Sequence, residues 1–160
     1  MTEKQIALST AMQHVVEAYA EHTRGTRETY IDSLRELGLD DDDISVLLAC
    51  DEQYAAARYR SINWRYLAAW WTQAGRDCDY ARLYAIYARQ WHSRWGTYPN
   101  KGQAATTPTA LITRLIYTVR AETTADEWWD VVAMVVEDYV QPARNRHWAS
   151  WDGLFLKTRK

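Results

Sequence analysis

Between residues 77 and 95, Tyr80, Tyr84, Tyr87, Trp91 and Trp95 recur at steps of four, three, four and four. An α-helix, at 3.6 residues per turn, places such a series on one face, whereas a strand would divide it between two faces. Rings of this size must be covered. The rest of the chain is therefore required to supply apolar helical faces that close over them. The stripe reads first as core, with the indole N–H and phenol O–H groups as polar handles, and second as a surface on which bases could stack.

The remaining sequence supplies such faces. Residues 3–21 carry Leu8, Met12, Val15, Val16 and Tyr19 on one line, and the link from His22 to Gly25 breaks it. A second helix starts at Thr26 with Tyr30, Ile31, Leu34 and Leu37 on a stripe, and Gly38 occupies the position after its end. The run Asp40-Asp41-Asp42-Asp43 reads as the amino terminus of a short helix, where acidic groups cap free N–H groups. It has no calcium-loop spacing. Asp51 is expected to cap a long helix reaching about Gln73, with Ala55, Tyr59, Ile62, Tyr66 and Trp70 on its apolar line.

Residues 96–107 hold Gly96, Pro99, Asn100 and Gly102 and read as a loop. Thr107 and Pro108 then open a helix bearing Leu111, Ile112, Leu115, Ile116 and Val119. The sequence Thr124-Ala125-Asp126-Glu127 forms a capping-box pattern before Trp128, Val131, Val132, Val135 and Tyr139, with Pro142 as the stop. Residues 144–155 are expected to be helical, followed by a basic tail. The expected fold is all-α, an irregular bundle of seven to eight helices. It forms one domain over residues 1–160, with residues 96–107 as its only place of subdivision. The expected core includes Leu34, Leu48, Tyr59, Leu67, Leu83, Leu115, Val132 and Val135.

Several kinds of chemistry lack their residues. Cys50 and Cys78 form neither a CxxC pair nor a zinc pattern, and His14, His22, His92 and His147 are scattered. His-Glu-x-x-His, paired Glu-x-x-His, Gly-x-Ser-x-Gly and a glycine-rich phosphate loop are all missing. No catalytic residue, metal, cofactor or small-molecule substrate is expected. A polar start and the lack of an apolar run near eighteen residues point away from membrane and secretion, and toward the cytoplasm.

Charge is segregated along the chain. Residues 1–53 carry 4 basic and 12 acidic side chains, whereas residues 54–120 carry 10 basic and 2 acidic ones. One reading pairs these segments inside the bundle. Another lays Arg58, Arg65, Arg76, Arg82, Arg89 and Arg94, on two consecutive helices, along one positive strip that tracks a phosphate backbone. Arg144, Arg146, His147 and Trp148 add a second basic patch. Asp40, Asp41, Asp42 and Asp43 would then face a basic neighbouring subunit. Residues 43–60 also resemble a helix-turn-helix, with the turn at Ala49-Cys50 and with Gln53, Tyr54, Ala57, Arg58 and Arg60 on the recognition helix. A third class is a phage-type inhibitor acting by protein contact, with the aspartate run imitating phosphate.

The end of the chain carries a further likeness. Trp128-Trp129-Asp130, then Arg144 and Arg146, then Trp148-Ala149-Ser150-Trp151 resemble the tryptophan- and arginine-bearing final helices of the small helical subunit of multi-subunit CRISPR effector complexes. The likeness covers about the last fifty residues, and the acidic start is not matched to it. It implies a non-catalytic subunit that steadies a single strand or guide–target duplex among other protein subunits, with Arg144 and Arg146 as the positions carried over.

Overall fold

The structure is a computed structural model that describes residues 2–58, 61–72, 78–100, 117–118, 123–124 and 127–157, with the backbone alone for residues 6–8, 16–23 and 156–157. Among the described residues there are seven α-helices, one 3₁₀ turn and no strand. The chain is all-α, as its periodicity requires.

Helix α1 spans Glu3–Arg24 and stops where Gly25 takes a φ of +71°. Helix α2, Arg27–Leu37, begins at Thr26, whose side chain accepts the N–H of Thr29. It ends at Gly38, whose φ of +109° is the left-handed geometry that glycine enters without steric cost. Asp40 caps α3, Asp41–Ala57, by accepting the N–H of Asp43 at 2.8 Å.

Helix α3 overturns two expectations. It runs unbroken through Ala49 and Cys50, so no turn exists there and residues 43–60 are not a helix-turn-helix. Asp51 does not cap a new helix either. Its carboxylate faces inward and accepts the Tyr30 hydroxyl at 2.7 Å, so burial overrides its preference for a helix end. The long helix expected over 51–73 is divided. Helix α3 closes at Ala57, and Asn63 caps α4, Trp64–Trp70, by accepting the Tyr66 N–H at 3.1 Å.

Helix α5, Cys78–Trp95, carries the aromatic stripe and ends before Gly96, φ +74°. Helix α6, Trp128–Val140, starts later than the capping-box pattern implies. Glu127 sits at the cap position without a side-chain bond, and the tie there is its backbone N–H to the Thr124 carbonyl at 3.1 Å. The helix expected over 144–155 is two pieces. Asn145 caps a 3₁₀ turn, Arg146–Ala149, and extended Ser150 separates it from α7, Trp151–Lys157. Residues 96–100 are non-helical, as expected for the loop. The helix expected from Thr107, with its core residue Leu115, lies outside the described residues except for Tyr117 and Thr118, and so does Tyr59.

Helix α5 sits at the centre of the described helices. Ala81, Leu83, Ala85 and Ala88 are fully buried, with Tyr80, Tyr84 and Tyr87 at 1–2% exposure. Helix α3 runs beside it in the same direction: Gly38 lies against Cys78, Asp43 faces Arg82 and Arg89, and Gln53 bonds Tyr98. Helix α6 does the same on the other side, from Arg82 against Trp129 to Arg94 against Ala143. Trp151 closes the stripe, with ring centroids 6.0, 5.2 and 5.1 Å from Tyr80, Tyr84 and Tyr87. Helices α2 and α4 form an outer pair in which Tyr30 meets Trp64 at 5.6 Å.

Leu34, Leu48, Leu83 and Val132 are buried as expected, while Leu67 and Val135 are half-buried. The apolar line of α1 is not covered where it is described: Met12 is 59% exposed and Val15 66%. No helix among the described residues is long and apolar enough to cross a membrane.

Buried polar handles mostly find partners. The Trp71 indole donates to the Tyr30 oxygen at 3.1 Å, and that hydroxyl donates onward to Asp51. Burial and the neighbouring Asp51 push the Tyr30 phenol well above its ordinary pKa, so it remains a neutral donor. Tyr87 donates to the Ala149 carbonyl at 2.5 Å, and Tyr139 to the Ser150 carbonyl at 2.8 Å. The Tyr84 hydroxyl and the Trp151 Nε1 are buried with no hydrogen-bond partner among the described residues.

Two substitutions test this packing. Tyr84→Phe removes an unsatisfied hydroxyl and is expected to raise stability by about 1 kcal/mol in chemical denaturation. Gly153→Ala sets a methyl group against the Tyr139 hydroxyl and is expected to cost about 1–3 kcal/mol, because that ring is already held by Ser150.

Candidate nucleic-acid interface

Arg82 and Arg89 lie seven residues apart on α5, so they share one face. Both turn toward Asp43 at the start of α3, at 3.7 and 3.5 Å. Arg82 also lies over the Trp129 ring, 4.5 Å from its centroid, which places it between α3 and α6. One carboxylate therefore offsets half the charge of the pair and pins both guanidinium groups to the bundle. Their role is to join helices as well as to present charge.

Asp43 itself is buried. Burial raises its pKa to about 6, with Asp40 adding to the rise and Arg82 and Arg89 opposing it. Desolvation wins because both ion pairs are long, beyond the separation of a close charge-assisted bond. The other acids of the run are divided among different tasks. Asp40 is the helix cap, Asp41 meets Arg35 at 3.4 Å, and Asp42 is exposed with no ion pair among the described residues.

The remaining middle arginines each have their own setting. Arg58 ends α3, about 22 Å along that helix from Asp43. Its guanidinium covers the Tyr54 ring at 3.7 Å. Arg65 is exposed at the start of α4, and its stem packs beside Gly25 at the α1–α2 turn. Arg94 donates to the Ala143 carbonyl at 3.2 Å and lies 5.3 Å from the Trp95 centroid. Arg76 lies outside the described residues. Of the arginines expected to form one strip, Arg58, Arg82, Arg89 and Arg94 are each engaged within the chain.

The carboxy-terminal patch is different. Arg144 and Arg146 are exposed and make no ion pair among the described residues. Trp148 is 63% exposed, with the His147 ring 6.4 Å away and edge-on. Arg144 and Trp148 border a recess of about 290 Å³ whose wall includes Tyr139 and Pro142. The segment is fixed from behind. Arg94 holds the Ala143 carbonyl, and Gln141 donates to the Gln90 side chain at 2.7 Å and its carbonyl at 3.2 Å. Asn145 caps the following turn by accepting the Trp148 N–H.

Sequence reasoning placed Arg144, Arg146 and Trp148 together but missed Arg94 and Gln141 as their supports. Helical spacing does not reveal a side chain that bonds another element's carbonyl. No group of three His, Cys, Asp or Glu among the described residues is placed to hold a metal ion. No family model, curated protein or solved structure matches this chain.

The buried acid gives a pH signature. Asp43 holds a proton more readily folded, at about 6, than at the ordinary carboxylate value of 3.8. Its contribution to stability is therefore complete below 3.8 and is lost as pH rises through 6. Denaturation of wild type and Asp43→Asn in parallel should show wild type losing ground to the variant across that window. A difference that stays level across it removes the assignment.

Proposed function

We propose that this protein is a non-catalytic subunit of a nucleoprotein assembly that grips a single-stranded nucleic-acid backbone through Arg144, Arg146 and Trp148. The observation that carries this reading is the pair of exposed guanidinium groups, unpaired among the described residues, beside an exposed indole. Guanidinium forks match phosphate oxygens in a bidentate manner, and an indole face stacks on any base. Together they suit a strand held by its backbone without reading its sequence.

The likeness to the small helical subunit of CRISPR effector complexes points to the same two arginines and supports the reading. Arg58 and Arg65, both outward, extend the basic character elsewhere on the surface, while Arg82 and Arg89 act chiefly as structural ties. Asp42 is the acid left for a basic neighbouring subunit. A role of this kind belongs in the cytoplasm.

Fluorescence anisotropy with short single-stranded RNA, single-stranded DNA and duplex, each titrated with salt, tests the proposal. Both single strands should bind at low salt, with affinity falling steeply as salt rises. Arg144→Glu with Arg146→Glu should abolish binding, and Trp148→Ala should weaken it about tenfold. Arg82→Glu should lower the melting temperature first, because it breaks the link between α3 and α6. Binding that survives the double charge reversal, or its absence for every strand at low salt, overturns the reading.

A further inference from the structure

The recess beside the carboxy-terminal arginines, about 290 Å³, is walled by Tyr139, Pro142, Ala143, Arg144 and Trp148. A cavity of about 150 Å³ takes up benzene, so this one has room for a one- or two-ring group. The N–H and O–H groups of the wall are largely spent. Pro142 has no N–H. The N–H of Ala143 bonds the Val140 carbonyl at 3.2 Å, and that of Trp148 bonds the Asn145 carbonyl at 3.1 Å. The Tyr139 hydroxyl donates to the Ser150 carbonyl. The wall therefore offers aromatic and aliphatic surface, with the exposed Arg144 beside it. It is also fixed in advance: Arg94 holds Ala143 from behind, and Asn145 caps the turn that carries Trp148.

We infer that this recess takes up one unpaired nucleobase of the bound strand, without regard to which base it is. The inference rests on the strand-gripping role proposed above and adds what selects the strand. Charge alone favours a duplex, whose phosphates are more densely spaced. A base within a duplex is paired and stacked, and drawing it out costs free energy. A single strand has bases free to enter. Arg144 belongs to the same wall, so one nucleotide can meet it by phosphate while its base fills the recess. Every base has a face for the Trp148 indole, and a wall whose donors are spent reads no base edge. The exposed Arg144 and Trp148 leave one side open, where the polar edge of the base stays in water.

The test uses the full chain at low salt and pentanucleotides that displace a labelled single strand. One pentanucleotide is wholly abasic, and the other is abasic but for a central thymine. The thymine should improve affinity at least about fivefold, and adenine, cytosine or guanine in its place should give affinities within about threefold of it. Trp148→Ala should remove that gain and leave the abasic affinity unchanged, while Trp148→Phe restores most of it. A hairpin duplex should not respond to Trp148→Ala. Nuclear Overhauser contacts from the thymine methyl to the Pro142 ring should place the base inside the recess. Equal affinity of the two pentanucleotides, a gain that survives Trp148→Ala, a gain confined to one base, or no contact with Pro142 overturns the inference and leaves the backbone grip standing. Thymidine monophosphate that binds as tightly as the thymine pentanucleotide assigns the recess to a free nucleotide and overturns the strand. Failure of every strand to bind removes the grip itself, and this inference with it.

Discussion

Trp151 lies against three tyrosines of α5, and the architecture depends on that contact. Tyr80, Tyr84, Tyr87 and Trp151 are all buried, and each aromatic side chain removes about 200 Å² from water. At about 25 cal/mol per Å², that is about 5 kcal/mol per ring before the cost of ordering it. Two unpartnered donors in the cluster, on Tyr84 and Trp151, cost about 1–3 kcal/mol each. The apolar gain exceeds that cost, which explains how a core can be built from phenols and indoles where most proteins use leucine and phenylalanine.

The polar ends of those rings set the register of what packs over them. Tyr87 and Tyr139 hold the carbonyls of Ala149 and Ser150, so α5 and α6 together fix where the 3₁₀ turn ends and α7 begins. On the opposite flank, Trp71, Tyr30 and Asp51 form a relay that unites α2, α3 and the end of α4. Charge supplies the third tie, with Asp43 drawing Arg82 and Arg89 onto α3 and Arg82 reaching Trp129 on α6.

Periodicity made the helical class, α2 and its glycine cap, and the aromatic helix legible. Those features depend on residues close in sequence. The errors share a different origin. Asp51 and Thr124 look like helix caps by residue type, yet one is buried and bonds Tyr30, and the other meets the Glu127 N–H through its backbone carbonyl. Met12 and Val15 fall on an apolar line that no described neighbour covers. The pairing of Arg82 and Arg89 was hidden because charge counts along a chain do not say which groups meet. Asp43 sits about forty residues before the arginines it binds, and only the fold brings them together. The patch at Arg144, Arg146 and Trp148 was readable because its members are neighbours in sequence.

The bonds from Arg94 and Gln141 across to the adjoining helix carry a mechanical consequence. Tension applied at Arg144 passes into α5, the described helix with the largest share of the buried core, instead of peeling a loop from the surface. Load on this end of the molecule is resisted by shear between two parallel helices, a stiff mode. A hand-off of load through the body of the domain is thus built into its frame.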